Sequence, residues 1–127
     1  MRSAAVCQML GAFALRNRVL LLQTRRGVPL DVSLGAVPFE ERSIERASDW
    51  KVGRGTSLRT CSAEDLIVHK AFAARPQDWL DIEGVLVRQG ELLNRRLILR
   101  ELRPLLELKE DESILPRLRK MWKRRQS

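Results

Sequence analysis

A single carboxylate, Asp31, sits in the middle of the stretch Gly27-Val28-Pro29-Leu30-Asp31-Val32-Ser33-Leu34-Gly35. Leu30, Val32 and Leu34 alternate with Asp31 and Ser33, which predicts a buried strand with one apolar and one polar face. A carboxylate on a core strand is disfavoured by desolvation unless a metal ion, an arginine or a helix N-terminus pairs with it. At a solvated strand edge it needs no partner. The first placement makes Asp31 a site residue, and the second makes it an ordinary surface group.

A second set of charges is denser. Asp65, Lys70, Arg75, Asp78 and Asp81 fall within seventeen positions. Asp78 and Asp81 are three apart and share a helix face. Lysine offers a point cation to phosphate oxygens and arginine a two-pronged one, so Lys70 and Arg75 together can bind polyphosphate. The alternative is that the carboxylates hold the two cations in an interhelical ion cluster with no ligand, and the residue physics alone favours that alternative. The only histidine, His69, has no nucleophile beside it and makes no hydrolase triad. Cys7 and Cys61 are far apart, with neither a disulfide framework nor zinc spacing, and read as buried thiols in a reducing compartment. There is no Walker-type loop and no Rossmann fingerprint.

The elements that must position these groups follow from periodicity and punctuation. Residues 3–16 have helical spacing, with Val6, Leu10, Phe13 and Ala14 on one face. Residues 18–24 and 28–34 read as two strands of a hairpin that turns at Gly27. Pro38 opens a helix whose first turn carries Glu40 and Glu41 and whose apolar side continues through Ile44 and Ala47. Residues 49–52 and 56–61 form a further hairpin around Gly53-Arg54-Gly55. Ser62 caps the next helix, with Asp65 reaching back to it. Residues 73–76 break that helix, and the next runs from 77 to 89 with Leu80, Ile82, Val85 and Leu86 inside, ending at Gly90. A helix follows over about 92–102, with Pro104 just beyond it and a polar connector at 109–112. The last helix runs over about 114–122. Trp50, Trp79 and Trp122 read as core or half-buried packing residues.

This order predicts an α+β protein: residues 1–61 as a small mixed-sheet region with an N-terminal helix, and residues 62–127 as a helical lobe, together one compact unit. The 127 residues, 44% hydrophobic and 31% charged, fit a globular domain. The net charge of +8 points to a phosphate-bearing partner such as nucleotide, RNA or DNA. The basic run from Arg117 to Arg125 can touch a nucleic-acid backbone or simply be a solvated helix end at the negative pole of its dipole. No apolar run reaches spanning length, and Gln8 interrupts the apolar stretch from Ala4 to Leu15. No membrane segment or signal peptide is expected, and the expected location is the cytoplasm.

The strand around Asp31, followed by Pro38-Phe39-Glu40-Glu41 and by the run from Ser62 through Lys70, Arg75 and Asp78 to Ile82, resembles nucleotidyltransferases of the AbiEii-toxin type, within the DNA polymerase β-like superfamily. The resemblance covers about residues 15–90 and matches the C-terminal part of such proteins. It implies a nucleotidyltransferase-like sheet followed by a helical lobe. It also implies metal-dependent transfer of a nucleoside monophosphate from an NTP to a hydroxyl, with Mg2+ ions held by three carboxylates. Asp31 matches the third of these, as metal ligand and helper in deprotonating the acceptor. Lys70 matches a lysine near the triphosphate, and Arg75, Asp78 and Asp81 match the helix-pair motif. The family's Gly-Ser start and Asp-x-Asp pair have no counterpart before Asp31, so the chain reads as beginning late in the fold. One carboxylate does not hold two magnesium ions. The expectation is a truncated protein, inactive alone or completed by another chain. A basic nucleic-acid-binding module or a toxin–antitoxin interaction partner, with homo- or hetero-oligomers, is the alternative.

Overall fold

The computed structural model describes residues 4–124. The side chains of Val6, Cys7 and Leu10, and Arg125 altogether, lie outside the described residues. The protein is α+β and packs as two units, Met1–Arg42 and Ser43–Ser127.

In the first unit, helix α1 (Ala4–Asn17) leads into strands β1 (Val19–Gln23) and β2 (Pro29–Ser33), which pair antiparallel. The turn closes where Gly27 N donates to Thr24 O at 2.9 Å, with Gly27 at φ 81°. A side chain there would be strained, which explains the glycine. In this register Leu20 faces Val32 and Leu22 faces Leu30, while Leu21 faces Asp31. The alternation is as expected, but its burial is not. All five residues of β2 are exposed, so Asp31 is no core carboxylate. A strand in a two-stranded sheet has an apolar face only as buried as whatever covers it, and the alternating pattern does not say what does. Beyond β2, Glu40 accepts from the backbone N–H groups of Ala36 and Val37 and closes the N-terminus of α2 (Pro38–Arg46). Phe39 is buried, whereas Ile44, placed on the apolar side by its spacing, is exposed.

The second unit holds β3 (Ser48–Gly53) and β4 (Thr56–Thr60), again antiparallel, with Gly55 at φ 72° in the turn. Among the described residues the strands thus form two separate two-stranded antiparallel sheets, not a mixed sheet. Each pair is closed by a short turn, and nothing longer bridges strands in parallel. Trp50 stands opposite Leu58 on one face of the second hairpin and is 63% exposed, not a packing residue.

Four helices complete this unit: α3 (Ala63–Ala73), α4 (Pro76–Gln89), α5 (Arg95–Lys109) and α6 (Ile114–Arg124), with a short 3-10 turn at Gly90–Leu92. Helix α3 is central and packs on α4, α5 and α6. Its Ile67, Val68 and Ala71 are fully buried, as are Ile82 of α4, Ile98 and Leu102 of α5 and Leu118 of α6. Trp79 and Trp122 are also buried. Leu80 is not inside: it is 62% exposed. The i, i+3, i+4 spacing of Ile98, Glu101, Leu102, Leu105 and Leu106 carries α5 straight through Pro104 to Lys109. Proline costs a helix interior a hydrogen bond and a steric clash. Here the buried leucines on both sides of it keep the chain helical, so Pro104 does not end the element. Among the described residues no helix is long and apolar enough to cross a membrane.

Candidate functional site

Helix α3 ends at Ala74, which takes the left-handed conformation at φ 57°. Arg75 follows in extended backbone, as the residue before a proline must, and Pro76 opens α4. Asp78 is then the third residue of the helix. Its Oδ2 accepts from the Arg75 backbone N–H at 3.1 Å, which closes the N-terminus of α4. The same oxygen accepts from Arg75 Nε at 2.7 Å, and Oδ1 accepts from an Arg75 Nη at 3.2 Å. Asp78 is buried beneath this fork. Across the break, Lys70 near the end of α3 places Nζ 3.2 Å from Asp78 Oδ1 and donates to Asp81 Oδ2 at 2.8 Å. Gln77 Nε2 holds the other oxygen of Asp81 at 3.0 Å.

Four of the five residues singled out from the sequence as candidate site residues therefore meet: Lys70, Arg75, Asp78 and Asp81. They meet as an interhelical ion cluster in which each cation already has a carboxylate. Their electrostatics agree with the geometry. The Arg75 guanidinium, against the opposing effect of burial, and then Lys70 hold the Asp78 carboxyl far below its usual range. Lys70 and Gln77 lower Asp81, and Asp81 and Asp78 together raise Lys70. The signal for this role was present in the sequence: Arg-Pro-x-Asp places proline first and a carboxylate third in a helix, the pattern of an N-terminal cap.

The fifth residue, Asp31, belongs to the other unit, exposed on β2 opposite Leu21. Among the described residues no three His, Cys, Asp or Glu side chains are grouped so as to hold a metal ion. A lone exposed carboxylate does not fit a magnesium site, which needs further oxygen ligands.

No family model, curated protein or solved structure matches this chain.

The sequence did not reveal the partner of Asp65 or the burial of Glu101. Asp65, placed by its spacing as the residue reaching back to Ser62, sends its carboxylate elsewhere. Ser62 Oγ does accept from the Asp65 backbone N–H at 3.1 Å, so the cap itself forms. The Asp65 carboxylate instead accepts from Arg46 Nε at 2.9 Å and from an Arg46 Nη at 2.7 Å. The other Arg46 Nη reaches Glu101 of α5 at 3.2 Å. Asp65 and Glu101 are both buried. This fork ties the end of α2 to α3 and α5. Cys61, next to this region, is partly buried, and desolvation followed by the Asp65 charge pushes its thiol pKa up. A raised pKa keeps it in the thiol form at neutral pH, which is the opposite of an activated nucleophile.

The Lys70 cluster gives a pH dependence whose sign is fixed. A carboxyl whose folded pKa is lowered adds stability that is complete above its unfolded value, 3.8 for Asp78, and that is lost as pH falls towards the folded value. Urea unfolding of the wild type is expected to weaken steeply between about pH 4 and about pH 2, where unfolded carboxylates protonate. Asp78→Asn is expected to be less stable at neutral pH and to lose less across that interval. Parallel curves for the two proteins would refute the role given to Asp78.

Proposed function

We propose that this protein is a nucleotidyltransferase-type chain that carries out no nucleotidyl transfer by itself, and that its Asp31 strand is one contribution to a site completed by another chain. The observation that carries this reading is the position of Asp31: exposed at the centre of β2, on a two-stranded sheet, and part of no group of three metal-ligating side chains among the described residues. A free strand edge can pair with another chain, and such pairing would bring further ligands to Asp31. The Lys70 cluster supports the same reading, because two carboxylates already lie against the Lys70 ammonium and their negative charge opposes an incoming phosphate.

The test is calorimetric titration of the protein with ATP, GTP, CTP and UTP, with and without Mg2+, alongside Asp31→Asn and Lys70→Ala. The expected result is no binding heat for the isolated chain with any nucleotide. Magnesium-dependent binding by the wild type that is lost in both variants would overturn the reading, because the site would then be complete in this chain.

A second reading, a non-catalytic binding module, is favoured by α6, which carries Arg117, Arg119, Lys120, Lys123 and Arg124 and no acid.

A further inference from the structure

Between α4 and α6 lies a groove of about 480 Å³ whose lining includes no member of the Lys70 cluster. Its apolar lining includes Trp79, Leu80 and Met121. Its α6 rim carries Arg117, Lys120 and Arg124, spaced three and four apart and so on one helix face. The facing wall on α4 carries one carboxylate, Glu83. Leu80 is the telling residue. It is 62% exposed and lines this groove, whereas Ile82 and Leu86 of the same helix are buried and the exposed Val87 lies outside the groove lining.

We propose that this groove is a docking site for an acidic amphipathic helix of a partner protein. Charge complementarity selects the occupant: a rim of three cations against one acid calls for glutamate or aspartate, while Leu80 and Met121 call for aliphatic anchors between them. A helix with leucines along one face and acids beside them meets both demands. Single-stranded nucleic acid meets only the first. Its bases would need an open aromatic face on which to stack. The face of Trp79 is already covered by the Arg117 guanidinium, 4.3 Å from the ring centroid. The indole N–H is also engaged, donating to Ala74 O at 3.2 Å. The Trp79–Arg117 stack thus holds the lining in place, and Lys120 and Arg124 are left as the exposed cations that select the partner. Helix-in-groove recognition uses anchors at i, i+3, i+4 and i+7. The stretch of α4 from Pro76 to Leu86 offers about three turns of wall for them.

The experiment uses the full chain and three labelled probes, read by fluorescence anisotropy at fixed salt. The first is a synthetic helix of about 18 residues, some five turns, with leucines along one face and glutamates beside them. The second replaces its glutamates by lysines, and the third is a uridine homopolymer. Variants are Lys120→Glu with Arg124→Glu, Leu80→Ser, and, as a charge-matched control outside the groove, Lys51→Glu with Arg54→Glu. All five positions are exposed, and far-ultraviolet circular dichroism confirms that each variant is folded. The acidic helix is expected to bind the wild type at least about tenfold more tightly than the lysine helix. Both groove variants should weaken it about tenfold or more, while the control stays within about twofold. The proposal is overturned if the acidic helix does not bind, or if the control loses as much as the groove pair, since net charge alone would then account for binding. It is also overturned if Leu80→Ser has no effect, or if the uridine polymer binds more tightly than the helix and depends on Lys120 and Arg124. Self-association of the protein that disappears in the groove variants would likewise replace the partner helix with a second copy of this chain.

Discussion

Asp65→Ala is expected to lower the free energy of unfolding by about 3–5 kcal/mol, the range for removing one member of a buried ion pair. The Asp65 side chain has no solvent exposure, and the Arg46 side chain is 24% exposed. Truncating Asp65 removes both hydrogen bonds of the fork and leaves the guanidinium with Glu101 as its remaining carboxylate partner in the pair. The size of the loss reflects the guanidinium donors left unmet by the truncation more than the worth of the bond. Replacing all three members with apolar residues, Arg46→Met with Asp65→Leu and Glu101→Met, is therefore expected to recover most of it, to within about 1 kcal/mol of the wild type or above. Replacing only Arg46 and Asp65 would leave Glu101 buried without that cation. Urea denaturation followed by tryptophan fluorescence is the measurement, and it reports on the right unit, because Trp50, Trp79 and Trp122 all lie in Ser43–Ser127. A loss below about 1 kcal/mol for Asp65→Ala, the size of a surface pair, would show that the fork does not hold the elements together.

Leu102→Ala is expected to cost about 2–5 kcal/mol, the transfer free energy of the lost methyl groups plus that of the cavity they leave. Leu102 is fully buried on the inner face of α5, between Ile98 and Leu105. The packing of α5 on α3 limits how far the site can collapse. The residue also lies next to Glu101 in sequence and two positions before Pro104, where the helix already lacks a backbone donor. Packing by Leu102, Leu105 and Leu106 is what carries α5 past that proline, so the variant should also fray α5 beyond residue 102. Hydrogen exchange of the backbone amides from Leu105 to Lys109 checks this directly, and unchanged protection there would show that the second half of the helix does not depend on Leu102. Leu108→Ala serves as the internal control. Leu108 is 72% exposed, so its truncation should change stability by no more than about 0.5 kcal/mol.

Much of the local structure was legible in the chain. The alternation around Asp31 and the turn glycines 27 and 55 announced two hairpins, and both form. Ser62, Pro38 and Pro76 marked helix starts, and Gly90 a helix end. These signals act within one turn of backbone, through a fixed φ, a missing donor or a side-chain cap. Asp78 shows how far such reading reaches. Its neighbours Arg75 and Asp81 are three residues away on either side, and the cluster was foreseen as one of two alternatives. Its cap on the Arg75 amide was missed, although the spacing announced it.

Burial is a different kind of fact. Leu30 and Val32 have the composition of a core strand and Leu80 that of a core helix position, yet all three are exposed. A periodic pattern states which residues share a face, not whether another element arrives to cover it. Glu101 and Asp65 gave the reverse error, with charged residues at the bottom of the helical core. Arg46 joins carboxylates 19 and 55 residues away, and no short-range spacing encodes such a meeting. The amino-acid order thus specified the helices, the hairpins and the local ion cluster, because these depend on backbone geometry over a few residues. Only the packing of α3 against its neighbours decided that Asp65 is buried, that Pro104 lies inside a helix and that Leu80 faces an open groove, because those depend on what desolvates each side chain from a distance along the chain.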